Sequence, residues 1–408
     1  MQLAVDHSTK TIATKLVITG SKSETNRLLL LQALYPPLTI ENASNSDDSI
    51  AMAKALESND ELKDIHHAGT AMRFLTAYFA TKKDSSIILT GSKRMQERPI
   101  GLLVNAMNSL GASITYDQKQ GYPPLRIKGK QLEGGEVSLP ANISSQYISA
   151  LLLIAPKLTK GLVIHLEGEI TSLPYIKMSL ALLERIGIST TFDGTSIRVP
   201  YQADIVPQQQ IVESDWSSAS YWFSSLALCM EGELTLSSYR KDSLQGDRVL
   251  LDIYQKLGVE SYFGAEGLQL KKVKGFVLPS RLEMDLVEAP DIAQTIAVSC
   301  FGLGVECILT GLHTLKIKET DRLLALEKEL GKLGATIKVT HDSLHLSPVR
   351  NFQKGQTIET YHDHRMAMAF APLGLKIPLE VNDADVVTKS YPSFWEDMQH
   401  AGFQIVEK

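Results

Sequence analysis

Two hydrophobic patterns alternate along the chain. The first places apolar residues three and four apart and ends at a glycine. Its copies are PIGLLVNAMNSLGASI, PYIKMSLALLERIGIST, GDRVLLDIYQKLGVES, TDRLLALEKELGKLGATI and SFWEDMQHAGFQI, which stop at Gly111, Gly187, Gly258, Gly334 and Gly402. In the third copy Val249, Leu250, Ile253, Tyr254 and Leu257 share one helical face, the spacing of a half-buried helix. Glycine just past the last turn is the usual stop, because it alone enters the left-handed conformation freely. The second pattern is a polar opening followed by an apolar run with no hydrophilic face. Its copies are GSKSETNRLLLLQAL, HAGTAMRFLTAYFA, NISSQYISALLLIAP, SDWSSASYWFSSLAL, EAPDIAQTIAVSCFG and YHDHRMAMAFAPLG. Such helices are buried all round. Short strand-like runs, including SIILTG, LVIHLEG, ELTLSS, ECILTG and PLEVND, lie between the helices.

Repetition at a fixed period is the sign of a repeated supersecondary unit. The glycine stops lie 68 to 76 residues apart, and the polar openings begin near residues 20, 67, 142, 214, 288 and 361. Six units of strands alternating with one half-exposed and one buried helix predict an α/β (α+β) fold of two domains, three units each. The interval from 20 to 67 is short, so the first unit, Asn26 to His67, is expected to lack a hairpin.

With 408 residues the chain can build two sizeable cores. No apolar run approaches the ~18 residues a membrane span requires. The opening stretch, with Asp6, His7, Lys10 and Lys15 among short apolar runs, has neither a secretory core nor an Arg-rich transit pattern. Cys229, Cys300 and Cys307 sit in apolar runs without a CxxC, which predicts reduced core thiols and a cytoplasmic location. A net charge of -5 gives no reason to expect nucleic acid. Any anion site must come from local clustering of cations.

Candidate cations occur at or near helix starts: Lys22 and Arg27 in GSKSETNR, Arg98 in KRMQERP, Lys318 and Arg322 in KETDR, Arg365 in DHRMAM and Lys389 in TKSYPSF. Lys318 and Arg322, four apart, are expected on one helical face. Ser21, Ser23, Gly69, Thr70, Ser144, Ser145 and Gln146 stand at helix openings, where free N–H groups favour phosphate and carboxylate. Taken singly each is equally a cap, and solvated surface charge is the default for any lone Lys or Arg; the convergence of related helix starts is what favours a site. Asp291 and Glu319 are candidate proton-transfer acids, with capping and a helical ion pair as their plain readings. His362 and His364 suggest a metal but have no third ligand at fitting spacing. The chain has no GxSxG, no GxGxxG and no P-loop.

GSKSETNR, AGTAMR, RMQERPIG, ISSQY, KETDR and DHRMAM, in this order from Gly20 to Lys389, together resemble the 5-enolpyruvylshikimate-3-phosphate synthase family of enolpyruvyl transferases. The resemblance implies two domains of three βαβαββ units each, an inverse barrel-like arrangement with pseudo-threefold symmetry, and an active site in the cleft between the domains. One domain would be residues 21–240 and the other residues 1–20 with 241–408, hinged near Gly20 and Arg240. The implied reaction joins phosphoenolpyruvate to the 5-hydroxyl of shikimate 3-phosphate through a tetrahedral intermediate, with no cofactor and no metal. By resemblance Lys22, Gly69, Arg98, Gln146, Arg322, Arg365 and Lys389 hold phosphoenolpyruvate. Ser23, Arg27, Ser144, Ser145, Gln146, Ser172, Tyr175, Asp291 and Lys318 hold shikimate 3-phosphate. Asp291, Glu319 and Lys22 handle protons. The partners implied are small molecules only, for a monomer that uses no nucleic acid or membrane, with closure of the domains on binding. Retention of Gly69 implies inhibition by glyphosate. His67, Phe74 and Thr314 stand where the family has Asn, Pro and Asn, at the edge of the substrate shell. Two other readings stay open. The sister enzyme acting on UDP-N-acetylglucosamine uses a reactive Cys, and no Cys precedes Cys229 here. A non-catalytic anion-binding relative would lack the acids or cations that this chain keeps.

Overall fold

A computed structural model describes residues 1–142, 144–168, 170, 173–349 and 351–408. They form two compact units, Gly20–Val212 and Met1–Thr19 with Glu213–Lys408.

In the Gly20–Val212 unit the strands Leu62–Asp64, Ser86–Thr90, Leu125–Lys128 and Ser113–Tyr116 lie side by side in that order. The first two are parallel, with Leu62 opposite Ile88, and the others antiparallel, with Ile87 and Ile114 both opposite Ile127. Ile87, Leu89, Leu125 and Ile127 point to the buried face, the alternation that a one-sided sheet requires. The helix Gly69–Thr81 crosses between the two parallel strands, and Gly101–Ser109 precedes the hairpin. The order is therefore βαβαββ. Gly135–Pro140, Leu162–Glu167, Ser196–Val199 and Thr191–Phe192 repeat it. The remaining sheet of this unit has two parallel strands, Gln208–Ile211 and Leu38–Glu41. After its second helix, Asp47–Glu57, the chain passes directly to Leu62–Asp64. This is the shortened repeat, and what it lacks is the hairpin.

The other unit holds three four-stranded sheets of the same order. Thr11–Leu16 pairs in parallel with Glu231–Leu236, Arg281–Asp285 with Glu306–Thr310, and Thr357–Ile358 with Leu379–Val381. The N-terminal strand Leu3–Asp6 completes the last sheet beside Leu379–Val381 and Gln404–Glu407.

Each unit buries three apolar helices against one another: Lys22–Leu34, Gly69–Thr81 and Ser145–Ile154 in one, Trp216–Leu228, Ala293–Leu303 and His364–Phe370 in the other. In Trp216–Leu228 every residue except Ser217 is buried, as the missing hydrophilic face predicts. The five glycines that stop the outer helices have φ from +82° to +96°. At four of them the backbone closes the six-residue reverse turn of a glycine stop: Ala112 N–H to Met107 C=O, Ile188 N–H to Leu183 C=O, Ala335 N–H to Leu330 C=O and Phe403 N–H to Met398 C=O.

The second passage between units differs from the expected position near Arg240. It lies at Val212 and Glu213. Glu231–Leu236 is the parallel partner of Thr11–Leu16, and the helix joining such a pair packs on their own sheet. The helix Trp216–Leu228 therefore cannot be separated from that strand. Ser214 Oγ donating to Ile18 C=O at 2.6 Å and Tyr239 Oη donating to Asp215 C=O at 2.8 Å tie the same segment down.

Candidate active site

In the unit formed by Met1–Thr19 and Glu213–Lys408, the predicted residues converge around one carboxylate. Asp291 lies in the turn Pro290–Ile292, just ahead of the helix Ala293–Leu303. It is not that helix's cap. Its Oδ1 accepts from Arg322 Nη1 at 2.9 Å and lies 3.4 Å from Lys318 Nζ. Its Oδ2 accepts from Arg365 Nη2 at 3.1 Å, and its backbone carbonyl accepts from Arg365 Nη1 at 3.0 Å. Three cations thus converge on the Asp291 carboxyl group.

Lys318 and Arg322 do not share a helical face. Asp321 caps the helix Arg322–Lys332 by accepting from Leu324 N–H at 3.2 Å, so Lys318 lies outside it, and the two cations meet through Asp291 instead. Glu319 accepts from Arg322 Nη2 at 2.8 Å. Arg322 is 1% exposed. Burial works against its charge, but Asp363, Glu319 and Asp291 more than offset this and raise its pKa.

Asp363 is fully buried and was missed as a site residue from sequence. It accepts from Arg322 Nε at 2.7 Å and Nη2 at 3.4 Å, and caps the helix His364–Phe370 through Arg365 N–H at 2.9 Å. One acid therefore fixes the Arg322 guanidinium and starts the helix that carries Arg365. Asp247, also missed, is buried in the turn Gly246–Val249 and accepts from Ser217 Oγ. Arg365 Nη2 donates to the same Ser217 hydroxyl at 3.3 Å. Burial, and then the nearby Asp291, push the Asp247 carboxyl up to about 6 against the pull of Arg365. The only hint of either residue in the sequence is an acid at a helix start, which reads as a cap. Lys389 Nζ donates to His362 C=O at 2.7 Å. His362 is exposed beside Asp383 while His364 is buried. Among the described residues no group of His, Cys, Asp and Glu is arranged to hold a metal.

In the Gly20–Val212 unit the helix starts also meet. Ser21 caps Lys22–Leu34, and Ser144 caps Ser145–Ile154. Gln146 Nε2 donates to Thr70 Oγ1 at 3.2 Å. Lys22 Nζ lies 3.8 Å from Asp48. The Arg98 guanidinium lies against Gly69, where a Cβ would stand 2.5 Å from Nη1. A side chain there would have to displace the end of Arg98; the backbone conformation itself does not demand glycine. Arg27 is 2% exposed. It donates to Ser179 Oγ at 2.8 Å, Ser149 Oγ at 2.9 Å, Ser23 C=O at 2.8 Å and Tyr175 C=O at 3.3 Å. Its guanidinium also stands over the rings of Phe74 and Tyr175. Burial lowers its pKa to about 10. Phe74, one of the departures, thus supports Arg27. Among the described residues the buried Thr314 hydroxyl has no hydrogen-bond partner. His67 Nε2 is 3.7 Å from Asp47, its Nδ1 is 2.8 Å from His66 Nδ1, and both histidines line a cavity of about 540 Å³. Ser172 lies outside the described residues.

The family model for EPSP synthase (3-phosphoshikimate 1-carboxyvinyltransferase) matches residues 54–398. The chain belongs to the EPSP synthase family. It is 45% identical over 394 residues to a 3-phosphoshikimate 1-carboxyvinyltransferase of Bacteroides fragilis, covering 95% of this chain and 94% of the relative. It is 35% identical over 414 residues to the Haemophilus influenzae protein of the same name, covering 93% and 94%. A solved EPSP synthase of Acinetobacter baumannii shares the fold, with a TM-score of 0.81 at 21% identity and full coverage of both chains. Within this EPSP synthase family member no helix of the described residues is long and apolar enough to cross a membrane.

Proposed function

We propose that this chain transfers the enolpyruvyl group of phosphoenolpyruvate to the 5-hydroxyl of shikimate 3-phosphate and releases phosphate, a step of aromatic amino-acid biosynthesis. The observation that carries this reading is the 45% identity to the Bacteroides fragilis enzyme over 95% of the chain. The grouping of Asp291, Glu319, Lys318, Arg322 and Arg365 supports it, since these are an acid, a base and anion-binding cations within one constellation.

In this reading the reaction draws on side chains of both units. Lys22, Gly69, Arg98, Gln146, Arg322, Arg365 and Lys389 receive phosphoenolpyruvate. Ser23, Arg27, Ser144, Ser145, Gln146, Tyr175 and Lys318 receive shikimate 3-phosphate, with Asp291 at its 5-hydroxyl. Glu319 gives a proton to the vinyl methylene, which leaves the neighbouring carbon electron-poor. The 5-hydroxyl oxygen attacks that carbon while Asp291 takes the hydroxyl proton, and a tetrahedral intermediate forms. Loss of phosphate and of one methyl proton restores the double bond, with Lys22 as a further proton carrier. The substrates bring roughly five or six negative charges, which charge-assisted hydrogen bonds from Lys and Arg offset.

The test is phosphate release from phosphoenolpyruvate with shikimate 3-phosphate present, and mass detection of the enolpyruvyl product. Folded protein that is silent with this pair sinks the proposal, as does release only with UDP-N-acetylglucosamine. The reading also places the protein in the cytoplasm as a monomer. Sedimentation at twice the chain mass would contradict the latter.

A further inference from the structure

A buried carboxylate is expensive unless it is paired. Asp247 is 6% exposed, and its hydrogen bond comes from a hydroxyl, Ser217 Oγ, not from a cation. The charged groups that act on it are Asp291 on the turn Pro290–Ile292, Arg365 on the helix His364–Phe370 and Asp215 at the cap of Trp216–Leu228.

Its place is firmly held. The neighbouring Gln245 accepts from Trp216 N–H at 2.9 Å and donates to Ser214 C=O at 2.9 Å and Glu213 Oε2 at 3.3 Å. Glu213, itself buried, also accepts from Trp216 Nε1 at 2.8 Å, Arg240 N–H at 2.9 Å and Ser243 Oγ at 2.6 Å. The loop that carries Asp247 is thereby fastened to the first turn of the helix that carries Ser217.

The consequence lies in which way the Ser217 proton points. A hydroxyl has one proton and two lone pairs. With its proton committed to Asp247, Ser217 can only accept on its other side, and there Arg365 Nη2 donates to it. The same nitrogen donates to Asp291 Oδ2, while Nη1 donates to the Asp291 carbonyl. Three acceptors define the plane of the guanidinium.

We infer that Asp247, through the Ser217 hydroxyl, is a positioning residue that holds the Arg365 guanidinium on Asp291. The importance of that pair for catalysis rests on the function proposed above. Without Asp247 the Ser217 proton is free to turn toward Arg365. A donor would then face a donor, and the guanidinium would lose one of its three fixed points. The plainer alternative is that Asp247 only fastens a loop, in which case its loss would alter stability and leave Arg365 in place.

The experiment compares full-length Ser217→Ala, Asp247→Ala and the double variant by steady-state phosphate release. Each single change is expected to lower kcat/KM for phosphoenolpyruvate by about ten-fold, and the double change by about ten-fold also, because both remove the same support. Asp247→Asn, whose side-chain oxygen still accepts from Ser217, should recover most of the loss. A double loss near a hundred-fold, or single variants with wild-type kinetics, would overturn the inference. A second readout does not use catalysis: NMR of labelled arginine side chains, with Arg365 assigned by Arg365→Lys. Restricted guanidinium rotation in the wild type should become fast in both single variants. Unchanged Arg365 signals in both would refute the positioning role. Wild-type protein that releases no phosphate would refute the proposed reaction, and the NMR comparison would still decide this point.

Discussion

Asp363→Ala should be the most damaging single change in this constellation for stability. The carboxylate is fully buried, and both the Arg322 guanidinium and the first turn of the helix that carries Arg365 depend on it. Its removal leaves Arg322 Nε without an acceptor inside the protein, a loss of about 1–3 kcal/mol. It also removes the cap of the helix His364–Phe370, worth about 1 kcal/mol. Breaking a buried ion pair outright costs ~3–5 kcal/mol, but Arg322 keeps Asp291 at 2.9 Å and Glu319 at 2.8 Å. Its charge is therefore not left bare, and a total near ~4 kcal/mol is expected. Asp363→Asn keeps an acceptor for Nε and a cap, so it should cost about half as much. Urea unfolding followed by tryptophan fluorescence measures this well. Trp216, Trp222 and Trp395, the only tryptophans in the chain, all lie in the Met1–Thr19 and Glu213–Lys408 unit, so the signal reports that unit alone. At a slope of about 2–3 kcal/mol/M the alanine variant should shift the midpoint down by roughly 1.5 M. A shift below about 0.3 M at that slope, or an asparagine variant as unstable as the alanine variant, would refute this account.

Gly69→Ala places a methyl group 2.5 Å from Arg98 Nη1, at the free end of a flexible side chain. The fold should therefore lose under about 1 kcal/mol, while KM for phosphoenolpyruvate rises several-fold as Arg98 moves aside; a wild-type KM would show that Arg98 does not reach this substrate. Glu319→Gln keeps the shape of the Arg322 contact but has no proton to give. Isothermal titration should find near-normal substrate binding with kcat down by a factor of about 10² or more, and a rate near wild type would remove Glu319 from the mechanism. Asp247 has a folded-state pKa of about 6, above its reference value of 3.8, so its contribution to stability is complete below pH 4 and is lost as pH rises through 6. Asp247→Asn should flatten this fall, which is about 3 kcal/mol for a shift of two units; urea midpoints at pH 4.5 and 8 that differ as they do in wild type would refute it.

The features that depend on local backbone physics were legible in the sequence. Gly111, Gly187, Gly258, Gly334 and Gly402 all adopt positive φ, and only that requirement makes a glycine the natural end of an outer helix. The missing hairpin was legible from spacing alone, because a repeat cannot shed two strands without shortening its period. What depends on pairing at a distance was not legible. The passage at Val212 is set by which strands become parallel partners, and nothing near Arg240 in the sequence reveals it. KETDR has helical spacing, yet Asp321 competes for Leu324 N–H and starts the helix later. Asp363 and Asp247 look like ordinary caps until the fold brings Arg322 and Ser217 to them. The proposed binding residues rest on resemblance more than on chemistry, since Arg27 is a buried cation locked to serines and carbonyls and would pass for a structural one.

The charge arrangement divides the work unequally between the two units. Around Asp291 the cations Lys318, Arg322 and Arg365 already face Asp291, Glu319 and Asp363, with Asp247 close behind. This cluster is close to neutral and attracts anions weakly for its number of cations. What it supplies is fixed direction for carboxylates that exchange protons, which is the proposed task of Asp291 and Glu319. The Gly20–Val212 unit is built the other way. Among the described residues Arg98 and Arg27 have no carboxylate within salt-bridge distance, and Lys22 has Asp48 only at 3.8 Å. A guanidinium with no carboxylate partner keeps its full attraction for phosphate and carboxylate. On the proposed function, loss of a cation in the Gly20–Val212 unit is therefore expected to weaken capture of substrate. Loss of one around Asp291 disturbs the acids first, because a carboxylate that loses its partner must find another or take up a proton.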